Sequence, residues 1–307
     1  MNLNITINTD LENTRLDTII SNGCKSCSRN CAALLINKGQ ILVNQAIKKP
    51  GYRVKTGDTI IGTIPEIEAQ TCIKPEKIDL DILFEDEFIM VINKQAGLVV
   101  HSGPGNLTGT LVNALLHHDP EIIKTSQDKF RSGIVHRLDK DTSGLMVVAK
   151  TLRSLVFLQK EFKQRRVEKR YLALVQGQMP EEKGQINLSI GRHPVKRKML
   201  TIRSDNGKEA VTLWSVQKQF ETASLVEVLL KTGRTHQIRV HFYAMDHPLI
   251  GDRVYQPRRF RKQKSIAPRQ MLHSWKLGFR HPYSGKRLDF KIDPPEDFIS
   301  VQASLNK

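Results

Sequence analysis

One short polar stretch holds residue types that could carry out chemistry. It reads Gly133-Ile-Val-His-Arg-Leu-Asp-Lys-Asp-Thr-Ser-Gly144 and concentrates His136, Arg137, Asp139 and Asp141 between two apolar segments. The apolar segments predict a strand on each side of a tight polar loop. A carboxylate in such a loop can act as a nucleophile, or it can simply cap backbone N–H groups, as short polar side chains in turns commonly do.

The whole string favours the functional interpretation. His-Arg-Leu-Asp-x-x-Thr-Ser-Gly, ending at Gly144, resembles the signature of the RluA-type RNA pseudouridine synthases. The resemblance implies that Asp139 is the catalytic nucleophile in the isomerisation of uridine to pseudouridine. His136 and Arg137 are expected to contact the substrate, and Arg137 can fill the space that an extruded base leaves in the RNA stack.

Two later strings resemble the same family. Tyr171 stands in Lys-Arg-Tyr-Leu-Ala, where the family carries an active-site Tyr, and an extruded base needs an aromatic face to stack on. The simpler interpretation of a Tyr in a strand is cross-strand packing. Residues 233–241 read Gly-Arg-Thr-His-Gln-Ile-Arg-Val-His, and the resemblance implies that Arg239 in this string pairs with the catalytic carboxylate. The alternative for Arg239 is a surface helix residue that contacts phosphate.

The resemblance implies an α+β fold. The catalytic domain, residues 80–307, is expected to have a mixed, mainly antiparallel β-sheet with flanking helices. One departure from the family pattern is Gln95, where the family usually has Pro after the Lys. A small α/β unit over residues 1–64 precedes it, and residues 65–79 between them are polar, contain two prolines and lack periodicity, which predicts a linker.

The N-terminal unit is similar to the ribosomal-protein-S4-like RNA-binding domain. The pattern predicts two helices followed by strands, with Ser-Arg opening the second helix and Lys-Gly-x-Ile-x-Val-Asn after it. The resemblance implies that Arg15, Arg29 and Lys38 contact RNA phosphates, which position RNA without reading its sequence. A generic helix-hairpin module is the alternative.

The charge balance indicates a polyanionic partner. The 307 residues include 48 Lys and Arg against 31 Asp and Glu, which gives a net charge of +17. Such an excess is typical of proteins that bind nucleic acid or an anionic membrane surface. No apolar run reaches the roughly 18 residues that span a bilayer, and the first ten residues do not resemble a signal peptide. We therefore expect a cytoplasmic protein that binds RNA as a monomer, with residues 191–198 and 257–264 as basic loops that contact RNA or are simply solvated.

Three cysteines, Cys24, Cys27 and Cys31, lie close together in the N-terminal unit, and Cys72 follows it. Cys-x-x-Cys suggests a zinc or iron–sulfur site, but Cys31 falls on the apolar face of a predicted helix, and no second such pair follows. We expect no metal. The isomerisation changes no oxidation state and adds no water, and the sequence has no P-loop or His-Glu-x-x-His motif, so we also expect no cofactor.

Two other classes of function stay open at this point. A non-catalytic RNA-binding or ribosome-assembly protein would use the basic surface alone. A nucleoside hydrolase or RNA glycosylase would release free uracil. The resemblance extends over nearly the whole chain, N-terminal unit included, and favours the RluD and RluC subgroup, whose substrate is large-subunit ribosomal RNA.

Overall fold

The computed structural model describes residues 2–24, 27, 29–64, 73–101, 108–126, 128–194, 199–203, 205–257 and 267–306. The chain forms two compact units, residues 1–72 and 73–307. Residues 65–72 of the proposed linker lie outside the described residues. Residues 73–79 belong to the second unit, because Ile73 and Ile78 pack into its hydrophobic clusters.

The N-terminal unit is a three-stranded antiparallel sheet with two helices. Its elements are β1 (Asn2–Thr6), a 3₁₀ turn (Thr9–Leu11), α1 (Leu16–Gly23), α2 (Arg29–Asn37), β2 (Ile41–Val43) and β3 (Thr59–Thr63). The strand order is β1-β3-β2. Apolar residues at helical spacing in α1, such as Leu16, Ile19 and Ile20, are buried against the sheet, as the sequence predicts.

The second unit is built on a nine-stranded sheet. Its strands, with the short separate ribbon β9–β10 in chain order, are β4 (Asp81–Glu85), β5 (Ile89–Lys94), β6 (Ser143–Ala149), β7 (Glu168–Gln176), β8 (Lys183–Asn187), β9 (Ile190–Arg192), β10 (Leu200–Ile202), β11 (Val211–Gln219), β12 (Ala223–Leu230), β13 (Leu272–Arg280) and β14 (Arg287–Lys291). The order is β4-β5-β6-β13-β7-β12-β11-β8, and β14 pairs with β13. The β6–β13 pair is parallel and the other pairs are antiparallel. The mixed, mainly antiparallel α+β fold is confirmed.

Within the described residues, four helices flank this sheet: α3 (Leu111–His118), α4 (Leu152–Lys163), α5 (Gln237–Ala244) and α6 (Glu296–Ser304). Two 3₁₀ segments, Pro120–Thr125 and Lys129–Arg131, follow α3. Thr110 and Thr151 cap α3 and α4, because each side chain accepts a hydrogen bond from a backbone N–H in the first turn.

The middle of the sheet is buried on both faces. Met90 and Ile92 of β5 belong to the largest hydrophobic cluster, whereas Ile89 and Val91 belong to the cluster beneath α4. All seven residues of β6 are buried. Strands buried on both sides need apolar residues without alternation, which accounts for the continuous apolar run that follows the polar loop.

The structure corrects one detail of the predicted elements. Residues 133–135 do not form a strand before the polar loop, and Ile134 makes only an isolated β-bridge to Val148. Residues 81–85 form β4, whose side chains are half-buried or exposed. Among the described residues, no helix combines the length and apolar character needed to cross a bilayer.

Gly144 allows the parallel pair β6–β13 to form beside the polar loop. Its φ is +118°, and a Cβ at this position would lie 2.3 Å from the carbonyl oxygen of Ser274. We predict that Gly144→Ala lowers the free energy of unfolding by about 3 kcal/mol or more, because backbone atoms cannot move aside. Gly233→Ala is the control, since nothing lies within 4 Å of a Cβ there, and it should change stability by less than about 1 kcal/mol. Equal unfolding midpoints for the two variants in urea would contradict this account.

Candidate active site

The backbone of the polar loop is held by hydrogen bonds to three consecutive carbonyl groups. The carbonyl of Asp139 accepts from the N–H of Thr142 at 3.1 Å. The carbonyl of Lys140 accepts from the N–H of Gly97 at 2.9 Å and from the ammonium group of Lys94 at 3.0 Å. The carbonyl of Asp141 accepts from buried Arg269 at 3.0 Å. These bonds fix the loop that presents the Asp139 side chain.

The side chain of Arg239, on α5, connects two carboxylates. Its Nη1 donates to Asp139 Oδ2 at 2.8 Å, while its Nε and Nη2 donate to the two carboxylate oxygens of Asp252 at 2.6 and 3.0 Å. The Asp252 side chain is fully buried and also accepts from the backbone N–H groups of Val254 and Tyr255. Despite burial, these hydrogen bonds keep the pKa of Asp252 below its usual value. The bidentate pair fixes the direction of the guanidinium. The structure contains the ion pair between Arg239 and Asp139 that the family resemblance implied.

The start of α5 is shaped by two residues of the Gly-Arg-Thr-His-Gln-Ile-Arg string. His236 has a left-handed backbone with φ 54°, which turns the chain into the helix. Gln237 is buried, and its amide donates to Val211 and Thr212 while its carbonyl oxygen accepts from Thr232. These features position the start of α5, the helix that carries Arg239.

A cleft of about 510 Å³ opens over Asp139. Its lining includes apolar side chains such as Leu138 and Leu272, and a set of basic side chains: Arg137, Lys163, Arg165, Lys169, Lys231, Arg234 and Arg239. Asp139 is the one carboxylate among the described lining residues. Its side chain is 15% exposed, and its Oδ1 lies 3.7 Å from His236 Nε2. The cleft can therefore admit a polyanion and present it with a single carboxylate.

Tyr171 forms part of the cleft wall. It lies on β7, where it pairs in register with Val228 on one side and Ser274 on the other. Burial raises the pKa of its hydroxyl, and the negative charge of Asp139 also raises it. A hydrogen bond with Ser274 lowers it, but by less than burial raises it. Tyr171 is therefore a neutral aromatic residue near the carboxylate.

His136 and Arg137 lie next to each other in the lining but differ in environment. The His136 ring stacks on Phe162 with 4.7 Å between ring centroids, and its Nε2 accepts from the N–H of Val147 at 3.1 Å. Burial lowers the pKa of His136 to about 3, so the ring is neutral and holds the loop against β6. Arg137 is exposed at the cleft.

The sequence did not single out three residues that support this site. Asp252 lies two residues after the apolar pair Leu249-Ile250. The signal for it is Arg239, because an Arg on the buried face of a helix needs a carboxylate partner. Tyr255 accepts from the N–H of Leu200 and contacts His236 Nδ1 at 2.8 Å. Lys94 ends β5, and its ammonium donates to the carbonyls of Gln95, Leu98 and Lys140 at 2.8–3.0 Å.

In the N-terminal unit, Arg15 and Arg29 converge on one carboxylate. Asp17 accepts from Arg15 Nη2 at 2.7 Å and lies 3.2 Å from Arg29 Nε. Hydrogen bonds from Arg15 and Arg29 lower the pKa of Asp17. Lys38 is exposed and follows the last residue of α2, about 14 Å along the helix axis from Arg29. The structure thus groups two of the three predicted RNA contacts and leaves the third at the other end of the helix.

The cysteines pack in the core of the N-terminal unit. Cys24 and Cys27 are buried and Cys31 is packed against the same cluster. Burial raises the pKa of the Cys27 thiol to about 12. Within the described residues, no group of three or more His, Cys, Asp or Glu side chains is arranged to hold a metal ion. Cys72 lies outside the described residues, as do residues 195–198 and 258–264 of the two basic loops.

Comparison with known proteins identifies the family of this chain. Residues 88–244 match the RNA pseudouridylate synthase family, and residues 14–60 match the S4 domain. The chain belongs to the RNA pseudouridylate synthase family. The matched segment of this synthase contains the loop of Asp139, the strand of Tyr171 and the helix of Arg239.

Relatives of this synthase match it over almost its whole length. A protein of Neisseria meningitidis serogroup A named ribosomal large subunit pseudouridine synthase D is 40% identical, over 99% of this chain and 82% of that protein. The RNA pseudouridine synthase YlyB of Bacillus subtilis is 38% identical, over 99% of this chain and 98% of that protein. The solved structure of human RNA pseudouridylate synthase domain containing 1 has a TM-score of 0.58 and 28% identity, and covers 72% of this chain and 85% of that one.

The buried ammonium of Lys94 gives a pH-dependent prediction. Burial lowers its pKa from the ordinary 10.5 to about 7, while the charges of Asp141 and Asp139 oppose the change. Between these values the unfolded chain binds a proton that the folded chain does not, so this group makes the folded state more stable as pH rises. Because Lys94→Met lacks this contribution, its loss of unfolding free energy should be about 1 kcal/mol or more larger at pH 9 than at pH 6.5. Urea unfolding at both pH values measures it, and a smaller loss at pH 9 would contradict it.

Proposed function

We propose that this synthase isomerises uridine to pseudouridine in RNA with Asp139 as the nucleophile. The observation that carries the proposal is the Asp252–Arg239–Asp139 arrangement at the floor of a basic cleft. Because Asp252 occupies Nε and Nη2, Arg239 can hold Asp139 by a single hydrogen bond to Oδ2. Among the described residues no hydrogen bond reaches Oδ1, so this oxygen is available to a substrate.

The reaction requires the glycosidic bond N1–C1′ to break, the uracil to turn and C5 to join C1′, after which C5 loses its proton and N1 gains one. A carboxylate suits attack at a glycosidic carbon, as in retaining glycosidases. A glycosidase also needs a second carboxyl group as acid, but Asp139 alone lines the described part of this cleft. Since uracil is a better leaving group than a sugar alkoxide, one carboxylate suffices. The isomerisation exchanges no electrons, so we propose that it uses no cofactor.

The target base has to leave the RNA stack before it reaches Asp139. Tyr171 offers an aromatic face in the cleft wall on which the extruded base can stack. Arg137 is exposed at the mouth of the cleft, where its side chain can occupy the space that the base vacates. His136 stays in the wall and orders the loop, and its remaining nitrogen, Nδ1, can donate to the substrate.

We propose large-subunit ribosomal RNA as the substrate and a cytoplasmic monomer as the acting form. Support for the substrate comes from relatives named ribosomal large subunit pseudouridine synthase D, which are 40% identical over 99% of this chain. The S4 domain and the net charge of +17 supply sequence-independent attraction to RNA. In this proposal Arg15, Arg29 and Lys38 contact phosphates.

The decisive variant is Asp139→Asn. We predict that it abolishes isomerisation and leaves RNA affinity within a few-fold of wild type, because phosphate contacts dominate affinity and none is removed. The assay measures tritium released to water from ribosomal RNA labelled at C5 of uridine, and filter binding measures affinity.

Asp141→Asn is the matched control for this assay. It removes a neighbouring carboxylate of the same loop that forms no side-chain hydrogen bond within the described chain, and it should keep activity within several-fold. Tritium release near the wild-type rate in Asp139→Asn would reject Asp139 as nucleophile. Tritiated free uracil in the wild-type reaction would instead identify an RNA glycosylase, and RNA binding without either product would identify a non-catalytic binding protein.

A further inference from the structure

Lys169 is a buried cation in the cleft whose ammonium group has no acceptor in the described part of the chain. Four Lys or Arg residues are buried among the described residues: Lys94, Lys169, Arg239 and Arg269. Lys94 donates to three carbonyls, and the two arginines each form a bidentate pair with a carboxylate. Lys169 is 7% exposed, and its Nζ lies 5.6 Å from the centroid of the Phe162 ring.

An ammonium group in this position is costly for the folded chain. Burial removes most of its water and lowers the pKa of Lys169 to about 8, so it is still largely charged at neutral pH. The neighbouring His136 ring carries no negative charge, so it cannot balance the ammonium group. A buried charge with no partner in the protein is the expected arrangement when the partner is a ligand.

The surroundings of Lys169 favour an anionic ligand. Lys169 and Tyr171 are two residues apart on β7, so both side chains lie on the face of the strand that lines the cleft. On the same lining are Lys163, at the end of α4, and Lys231, just after β12, and both are exposed. An anion at Lys169 would thus lie beside the stacking position of the extruded base and within a cationic wall.

We propose that Lys169 binds the backbone phosphate adjoining the target uridine. The inference rests on the proposed function, because only an RNA substrate brings a nucleotide and its phosphate into this cleft together. A phosphate supplies the missing acceptor and opposite charge, whereas a uracil carbonyl would supply an acceptor alone. Lys169 would then hold the sugar in place while the base turns, so that C1′ stays at Asp139.

The test pairs a protein variant with single-phosphate changes in the RNA. The probe is a short uridine-containing stem-loop RNA that the wild-type enzyme converts, in which each phosphate near the target is replaced in turn by a neutral methylphosphonate. Binding is measured by filter retention in the Asp139→Asn background, so that the RNA is not converted during the assay. Lys169→Met should weaken binding about tenfold and lower the slope of log affinity against log salt by about one.

The coupling between the two changes decides the proposal. One methylphosphonate next to the target should weaken binding to the protein with Lys169 and have little further effect on Lys169→Met. Lys169→Arg, which keeps the charge, should retain the effect, and Lys218→Met, an exposed lysine outside the cleft lining, should behave as wild type. Independent, multiplying effects at every phosphate would overturn the proposal, and so would wild-type affinity in Lys169→Met.

Thermal unfolding without RNA separates a ligand role from a structural one. Lys169→Met removes a buried charge that has no partner among the described residues. Its Tm should therefore be the same as that of wild type or a few degrees higher. A clear fall in Tm would show that Lys169 stabilises the fold, and would overturn the proposal. Failure of the proposed function gives a different result from failure of this inference. If the proposed function is wrong, the wild-type protein converts no RNA, and this is seen before any Lys169 variant is measured.

Discussion

The site depends on one buried arrangement of charges, in which Arg239 lies between Asp252 and Asp139. Asp252 is fully buried and Arg239 is 6% exposed, so neither can exchange its partner for water. The two carboxylates outnumber the one guanidinium, and Asp139 is the carboxylate that lines the cleft. Because the bidentate pair with Asp252 sets the direction of the guanidinium, Asp139 is oriented without being enclosed.

The rest of the second unit can be understood as support for this arrangement. The polar loop and α5 are more than ninety residues apart in sequence, and the central sheet brings them together. Gly144 allows β13 to run parallel to β6 directly below the loop, and Lys94 and Arg269 hold the loop from beneath through its carbonyls. The charged groups of Lys94 and Arg269 are buried, and both donate hydrogen bonds to acceptors in the protein, as a rigid polar site requires.

Local sequence signals predicted the two helices of the N-terminal unit because apolar spacing acts within a few turns, as at Leu16, Ile19 and Ile20 of α1. The family resemblance supplied Asp139, Tyr171 and Arg239, but no local rule could supply Asp252, because it joins Arg239 through tertiary structure alone. The segment before the loop failed as a strand prediction because Ile134 pairs at only one position. The burial of the Lys169 ammonium group could not be predicted from the sequence either, because burial depends on the whole fold and the neighbouring residues in the motif do not indicate it.

The most direct test of this account is the single-turnover rate constant of Arg239→Met at saturating RNA. If Arg239 orients the nucleophile, the rate constant should fall by orders of magnitude while RNA affinity changes little. Arg234→Met, which removes a basic side chain from the same cleft lining, is the control and should weaken binding with a nearly unchanged rate constant. A wild-type rate constant in Arg239→Met, with affinity alone reduced, would show that Arg239 only contacts phosphate and would contradict the central role given to this ion pair.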